Sequence, residues 1–327
     1  MNALKETKKK HLVAILKYLY LHNSSTMNEL VENLQLSQPS IRNMVRTLQE
    51  KQLIQEVGND LSSGGRCPTR FALNEKNYLI LCLYVQVDKV IYQLRNFNEI
   101  KKESILFYQS EDELKKTIKD LIDQEKIHCC QIAVEGIVYE DVYVTDHHNV
   151  LEKHQWLKDI KKEINIPLQL QNDVKMIHQG CYFTYQQDST YYLYINEVGI
   201  GSSYFYKDEP LYGRSGIMGE IGLISLKGKT INQQIRECQN QEEFNEILSL
   251  LLSMVFTMID PKRLELSLDL KWNYEEKKIE NVLNKIDKDC FKHLYFHEDV
   301  SSMLFEGLVY RGVVYLLKER IERNEKI

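Results

Sequence analysis

Hydrophobic residues recur at helical spacing in the first fifty positions, and polar turn residues divide them into three segments. The spacing predicts a first helix over about 7–22. Thr26 and Glu29 form a capping-box pattern at the start of a second helix. Ser37 can cap a third helix that has Pro39 in its first turn, where proline is tolerated. The pattern therefore predicts three short helices in close succession.

The third helix has one apolar face and one polar face. Ile41, Val45 and Leu48 would point inward. Two short helices joined by a tight turn and preceded by a packing helix are typical of a helix-turn-helix, whose last helix enters the major groove of DNA. The alternative is a solvated face in any small helical bundle. The candidate DNA-contacting side chains on this helix are Gln38, Ser40, Arg42, Asn43 and Arg46.

Two short β-patterns follow the third helix and enclose a glycine-rich segment. Leu53–Val57 and Arg70–Leu73 read as strands, and residues 58–68 between them contain Gly65 and Arg66. A hairpin tip that carries an arginine is expected of a wing that lies on the phosphate backbone or in the minor groove. Residues 1–74 are thus predicted to be a winged helix-turn-helix domain, with Gly65 and Arg66 as further DNA contacts.

Strand and helix patterns alternate in two rounds over the rest of the chain. This alternation predicts an α/β fold with two lobes over residues 75–327, with a boundary near 185–190 and a C-terminal helix that returns to the first lobe. The predicted strands lie at 79–87, 90–94, 104–108, 130–134, 167–170, 191–195 and 203–206, and the predicted helices at 111–124, 156–163, 174–183, 243–259 and 301–323.

Charge separates the two predicted domains. The net charge is -5, yet residues 1–74 contain ten Lys/Arg against six Asp/Glu, and the remainder contains 32 against 41. A basic head on an acidic body indicates that only the head approaches a polyanion such as DNA. The hydrophobic content of 43% excludes a disordered chain.

Cysteine usage and hydropathy bear on the compartment. The chain has seven cysteines, an odd number with no C-x-x-C pair, which favours buried reduced thiols. The lysine-rich start resembles a signal peptide, but Lys17 and Tyr18 interrupt its apolar run and no cleavage site follows. No apolar run reaches the roughly 18–20 residues that span a bilayer. A cytoplasmic protein without a membrane partner or a cofactor is expected.

Several short motifs follow one another along nearly the whole chain. They are Gly65-Arg66-Cys67-Pro68, Phe71-Ala72-Leu73-Asn74, Ala133-Val134-Glu135-Gly136-Ile137-Val138, Gln171-Asn172-Asp173, Gly199-Ile200-Gly201, Gly219-Glu220-Ile221-Gly222 and Ile259-Asp260-Pro261. In order and spacing they resemble the ROK family, which contains repressors and sugar kinases. That resemblance implies a two-lobed, actin-like domain behind the DNA-binding head.

The resemblance implies a sugar site at Asn172, Asp173 and Glu220, because these positions match family residues that hydrogen-bond sugar hydroxyls. The chemistry suits the role, since a carboxylate accepts hydroxyl donors and an amide both donates and accepts. The end of a strand, in a crevice between lobes, is also where α/β folds place ligands. The alternative is that Asn172 and Asp173 merely cap the following helix.

The departures from the family pattern argue against phosphoryl transfer. Family kinases carry an Asp-x-Gly-x-Thr phosphate loop, whereas residues 85–90 here lack that glycine and threonine. In the second phosphate loop, the family's Gly-Thr-Gly becomes Glu197-Val198-Gly199, and a glutamate would repel a triphosphate. We therefore expect no enzymatic activity.

The family's zinc motif is also missing from the sequence. Leu223 stands where the family has histidine, and Cys238 has no nearby cysteine partner for a tetrahedral site. His147, His148 and His154 lack convincing ligand spacing and are expected in a surface loop. No metal site is predicted.

Together these patterns predict a homodimeric DNA-binding regulator. In the first hypothesis it represses carbohydrate-utilisation genes and is released from its operator when a sugar or sugar derivative enters the cleft between the lobes. In the second, DNA binding is independent of any effector, and the body serves only for dimerisation. A sugar kinase is the third and least supported hypothesis.

Overall fold

Three helices and a small antiparallel sheet form the N-terminal part of the structure, a computed structural model that describes residues 2–59, 67–147, 150–182, 185 and 187–323. The Thr26 side chain accepts from the Glu29 backbone N–H while the Glu29 carboxylate accepts from that of Thr26, which confirms the capping box. The elements are α1 (Asn2–His22), β1 (Ser25–Thr26), α2 (Met27–Leu34), α3 (Gln38–Glu50), β2 (Ile54–Asn59) and β3 (Thr69–Leu73).

These elements have the arrangement of a winged helix-turn-helix. Ser37 precedes α3 and accepts from the Ser40 backbone N–H. The strands are ordered β1-β3-β2, so the hairpin packs beside the helices with β3 in the middle. The first helix begins at Asn2, five residues before its predicted start near residue 7.

A five-stranded sheet, ordered β11-β7-β4-β5-β6, forms the first lobe. β4, β7 and β11 run parallel, whereas β5 and β6 extend the sheet as an antiparallel meander. A smaller sheet of three strands, ordered β10-β9-β8, adjoins it. The elements are β4 (Ile80–Val85), β5 (Lys89–Arg95), β6 (Ile100–Phe107), α4 (Glu111–Asp123), β7 (Cys129–Val134), β8 (Ile137–Tyr139), β9 (Val142–His147), β10 (Val150–His154), α5 (Trp156–Glu163), β11 (Leu168–Asn172) and α6 (Asp173–Tyr182).

The second lobe repeats this plan with a sheet ordered β14-β13-β12-β17-β18. β12, β17 and β18 are parallel, and the β12–β13 hairpin is antiparallel. The elements are β12 (Ser189–Asn196), β13 (Ile200–Tyr206), β14 (Glu209–Pro210), β15 (Ser225–Leu226), β16 (Lys229–Thr230), α7 (Ile231–Glu237), α8 (Gln241–Met258), β17 (Arg263–Asp269), α9 (Glu276–Leu283), β18 (Leu294–Phe296) and α10 (Val300–Arg323).

Helices α6 and α10 cross at very short distance between the lobes. A Cβ atom on Gly180 would lie 2.0 Å from the Met303 carbonyl oxygen, and one on Gly307 would lie 2.0 Å from that of Met176. Only glycine at both positions lets the two backbones approach so closely. α10 also packs against β4 and β7, so the last helix of the chain lies on the first lobe.

One hydrophobic cluster runs without a break from the head into the body. It contains Leu16 and Leu19 of α1 together with Val309 and Val313 of α10. Aromatic contacts also join the head to the body, since the centres of the Tyr20 and Tyr310 rings lie 5.4 Å apart. The division into a head of residues 1–74 and a body of residues 75–327 stays a prediction, but the two parts are not separated by a flexible linker in the described chain.

The stretch Val300–Ile321 of α10 is long and apolar enough, by length and composition alone, to cross a membrane. The sequence prediction found no such run, because isolated polar residues such as Arg311 interrupt it. Most of the stretch is buried inside the protein, where Leu308, Val313 and Leu317 are fully covered. Its apolar character is that of a core helix.

Candidate functional site

The outer face of α3 carries the polar residues that the sequence predicts to contact DNA. Ile41, Val45 and Leu48 are buried on the opposite face, which leaves the polar face free of contacts with the head's own core. Arg46 donates from Nε to the Glu50 carboxylate at 2.9 Å, an exposed pair one helical turn apart. The exposed side chains are Gln38, Ser40, Arg42, Asn43 and Arg46.

The base of the hairpin is tied to the helices, whereas its predicted contact residues, Gly65 and Arg66, lie outside the described residues. Arg70 on β3 donates from Nε to Ser24 Oγ at 3.0 Å and pairs with Glu29 at 3.2 Å. Arg70 is therefore engaged with the helices and is not part of the polar face.

A second candidate site lies between the lobes, at the carboxyl ends of β7, β11 and β12. The structure brings Asn172, Asp173 and Glu220, all predicted from the sequence, to one cavity of about 100 Å³. Asn172 ends β11, Asp173 begins α6, and Glu220 comes from the segment after β14. Residues from both lobes therefore face the same small space.

Asn172 acts as the N-cap of α6. Its Oδ1 accepts from the Lys175 backbone N–H at 3.0 Å, and its Nδ2 donates to the Gly136 carbonyl at 2.9 Å. The capping alternative therefore describes Asn172 well. The hydrogen bonds described for its neighbour Asp173 are at one carboxylate oxygen, Oδ1, which accepts from the Val174 N–H at 2.8 Å and from Asn172.

The carboxyl groups of Asp173 and Glu220 hold their protons at unusually high pH. Burial raises the pKa of Asp173 to about 8, and the negative charge of Glu135 adds to the effect. Burial likewise raises the pKa of Glu220 to about 7, with Lys175 opposing the rise. At neutral pH the cleft therefore presents a protonated Asp173, which can donate as well as accept hydrogen bonds.

Glu135 is a cleft residue that the sequence motif contained but whose role was not predicted. Its Oε1 accepts from Tyr84 Oη at 3.0 Å and from Gln86 Nε2 at 3.1 Å. Tyr84 is the penultimate residue of β4, which pairs in parallel with β7, and this pairing brings the two groups together. The sequence signal that could have identified Glu135 is its position as a charged residue directly after the buried strand β7.

A second compartment of about 250 Å³ adjoins the cleft and shares Glu135 and Thr145 with it. Thr145 Oγ1 lies 3.1 Å from His154 Nε2, and His154 Nδ1 lies 2.9 Å from the Glu111 carboxylate. The expectation that His154 lies in a surface loop is wrong, because it is on β10. His147 ends β9, and His148 lies outside the described residues.

The loop after β12 satisfies its own backbone donors. Asn196 Oδ1 accepts from the N–H groups of Val198 and Gly199, both at 3.0 Å. A phosphate-binding loop of this kind offers such N–H groups to the ligand. Here the asparagine occupies them, and the exposed Glu197 adds negative charge at the same turn.

Three tyrosines that could plug the cleft do not line it. Tyr204 bonds Ser189 at 3.2 Å, Tyr206 is exposed, and Tyr212 lies outside the cavity wall, near Gln171. Tyr194, which donates to Asp269 at 3.1 Å, does line the cavity.

Comparison with known proteins gives a family match over part of the chain, and a fold. Residues 96–250 match the model of the ROK family. The xylose repressor of Staphylococcus xylosus is 24% identical over 229 residues, which are 64% of this chain and 58% of the repressor. The chain thus spans less than two thirds of that relative's length.

Solved structures share the architecture. A ROK family transcriptional regulator, described as a homologue of the E. coli MLC protein, superposes with a TM-score of 0.66 at 14% identity, covering 94% of this chain and 99% of its own. A ROK family protein from Streptococcus pneumoniae, solved with sucrose, gives a TM-score of 0.53 at 12% identity, with coverages of 74% and 98%. The predicted α/β fold, with its helical N-terminal head and two-lobed body, is confirmed.

Proposed function

We propose, from the match of residues 96–250 to the ROK family model and from the helical head, that the chain is a sequence-specific DNA-binding transcriptional repressor. A homodimer would place two α3 helices in successive major grooves of an operator. A neutral sugar would enter the interlobe cleft and lower the affinity for DNA. Such a protein acts in the cytoplasm, where the chromosome lies.

The exposed polar face of α3 is the observation that carries the DNA-binding proposal. Arg42 can bind a guanine edge or a phosphate, and Asn43 can read adenine. Both side chains are exposed, while the residues between the polar positions fill the core of the head. The xylose repressor among the relatives supports repression as the outcome.

The chemistry of the cleft favours an uncharged polyol as effector. Asp173 carries a proton at neutral pH, and the pKa of Glu220 lies near neutral pH. Both carboxyl groups can therefore form hydrogen bonds with sugar hydroxyl groups. A sugar phosphate would meet Glu135 and Glu220, with Lys175 as the nearby cation. We therefore favour a free pentose or hexose over its phosphate.

The same site argues against a sugar kinase. Asp173 stands where a base toward a sugar hydroxyl would be needed, but its raised pKa leaves it mostly protonated at neutral pH. In addition, Asn196 fills the backbone donors of the loop after β12. Neither feature supports transfer of a phosphoryl group from ATP.

A direct route joins the cleft to the DNA-binding head. Lys17 on α1 pairs with Asp208 and Glu209 in the β13–β14 turn. The same turn is held by α10, since Tyr310 Oη donates to Asp208 at 3.0 Å and Arg311 pairs with Glu209 at 3.1 Å. β13 begins at the cleft, so a shift of the second lobe on ligand entry would move the contact with α1.

The test is a titration of operator affinity with uncharged pentoses, hexoses and their phosphates. We expect one neutral sugar to weaken operator binding and to raise the melting temperature of the protein, since it binds only the folded state. A matched Glu220→Gln variant should bind that sugar more weakly while its affinity for DNA is unchanged. A sugar phosphate that acts more strongly than any free sugar would contradict the effector assignment.

The size of the cleft favours the second candidate function, an effector-independent DNA-binding protein. Its volume of about 100 Å³ is below the roughly 300–1,000 Å³ of ordinary ligand pockets. If no carbohydrate changes operator affinity or melting temperature, the body serves for dimerisation alone. Light scattering on the intact protein then reports the dimer directly.

A further inference from the structure

Three side chains of metal-ligand type meet at the end of α6, on the side of the second lobe and away from the cleft. Cys181 Sγ, Glu265 Oε2 and His297 Nε2 all lie within 4.8 Å of one another. The thiol and imidazole atoms are 3.3 Å apart, and the imidazole contacts the carboxylate directly. The three residues come from α6, β17 and the segment between β18 and α10.

Hydrogen bonding alone accounts poorly for this arrangement. A single imidazole nitrogen carries either one proton or one lone pair, yet His297 Nε2 faces both a thiol and a carboxylate. Glu265 is fully buried and Cys181 is buried, so bulk water does not solvate either group. A cation bound to all three atoms would satisfy sulfur, nitrogen and oxygen together.

The surroundings hold each of these groups in place. Arg263 binds Glu265 through the other carboxylate oxygen, Oε1, which leaves Oε2 for the cluster. The Arg263 guanidinium lies 4.1 Å from the centre of the Tyr185 ring and 3.4 Å from that of Tyr295. Contacts of this kind orient ligands in protein metal sites.

The backbone at His297 is anchored on both sides. Its N–H donates to the Leu266 carbonyl at 3.0 Å, and its carbonyl accepts from Ser267 Oγ at 2.7 Å. The histidine is therefore fixed against β17, the strand that also carries Glu265. The side chain is 18% exposed, which leaves a path for an ion and for a water molecule.

We propose that Cys181, Glu265 and His297 bind one zinc ion, with water as the fourth ligand. A thiolate, an imidazole and a carboxylate are the zinc ligands of proteins, whereas calcium and magnesium require oxygen ligands. These positions are separate from Leu223 and Cys238, where the family's motif is missing. The ion would join the end of α6 to β17 and to the start of α10.

Cobalt is the probe for the test, because Co²⁺ replaces Zn²⁺ and reports thiolate coordination by its absorption. Full-length protein is stripped with a chelator and titrated with Co²⁺. We expect one equivalent to give a thiolate-to-cobalt charge-transfer band that Zn²⁺ abolishes. Zinc should also raise the melting temperature of the stripped protein.

Matched variants decide where the ion binds. Cys181→Ser should lose the charge-transfer band, whereas Cys67→Ser, which changes the one cysteine of the described chain that is not buried, should keep it. His297→Gln alters a partly exposed residue and should weaken Co²⁺ binding by at least about 100-fold, since even outer contacts are worth 10–100-fold. If Cys181→Ser does not fold, His297→Gln decides alone.

The proposal is overturned if wild-type protein gives no stoichiometric band. It is also overturned if the band persists in Cys181→Ser, or if His297→Gln binds as tightly as the wild type. These outcomes are independent of the effector and DNA experiments above.

Discussion

Replacing Asp173 with asparagine should stabilise the protein in a way that grows with pH. Asp173 is buried at the start of α6, and burial together with the charge of Glu135 raises its pKa from 3.8 to about 8. Asparagine has nearly the same shape, keeps an oxygen for the Val174 N–H, and cannot ionise. The variant therefore removes a titration while keeping the hydrogen bond from the Val174 N–H.

The sign follows from proton binding in the two states. Because the folded-state pKa is the higher one, the native protein holds a proton that the unfolded chain has lost between about pH 4 and pH 8. Stability therefore falls as pH rises through this window. At about 1.4 kcal/mol per pKa unit, the loss is about 1–2 kcal/mol at pH 5 and about 5 kcal/mol at pH 8.

Urea unfolding at pH 5 and pH 8 measures the difference. We expect the gain in unfolding free energy of Asp173→Asn over wild type to be about 3–4 kcal/mol larger at pH 8. Asp123→Asn, at an exposed position on α4, is the control and should show the same small effect at both pH values. A gain that is equal at both pH values, or that shrinks toward pH 8, would refute the assignment of a protonated Asp173.

Three further predictions concern the helix crossing, the DNA face and the coupling route. Gly180→Ala should lower the midpoint of urea unfolding, because its Cβ would lie 2.0 Å from the Met303 carbonyl oxygen; an unchanged midpoint would mean that the helices can separate without cost. Arg42→Ala should weaken operator binding by about 1–3 kcal/mol if Arg42 contacts a base, as measured by anisotropy titration. Unchanged affinity would mean that the DNA-binding surface does not include this face of α3. Lys17→Met removes the pair with Asp208 and should leave operator affinity within twofold but reduce the response to effector; a full response would exclude this route.

Local signals in the sequence were sufficient for α2 and α3 of the head. The Thr26 capping box, the serine before α3 and the alternation of inward and outward positions on α3 all act within a few residues. The strand β17 was missed, although Leu264, Leu266 and Leu268 alternate with polar residues there. The polar positions of this strand do not form an exposed face, because Glu265 and Ser267 are also buried.

The cleft could be predicted only in part, because its contacts depend on which strands become neighbours. Asn172 and Asp173 follow a strand, and this placement is visible in the sequence. The approach of Tyr84 to Glu135 across 51 positions follows from the pairing of β4 with β7. Nothing in the local pattern specifies that pairing, so Glu135 had no predicted role.

The crossing of α6 and α10 limits how this protein can change by mutation. Gly180 and Gly307 each face a backbone carbonyl, so any other residue adds atoms where no side chain can move aside. Single substitutions at this seam therefore offer no intermediate variants for selection to act upon. Mutations can adjust the ligand response gradually only at side-chain contacts such as that of Lys17 with Asp208. The crossing of α6 and α10 therefore stays constant while regulation diversifies at the contacts around it.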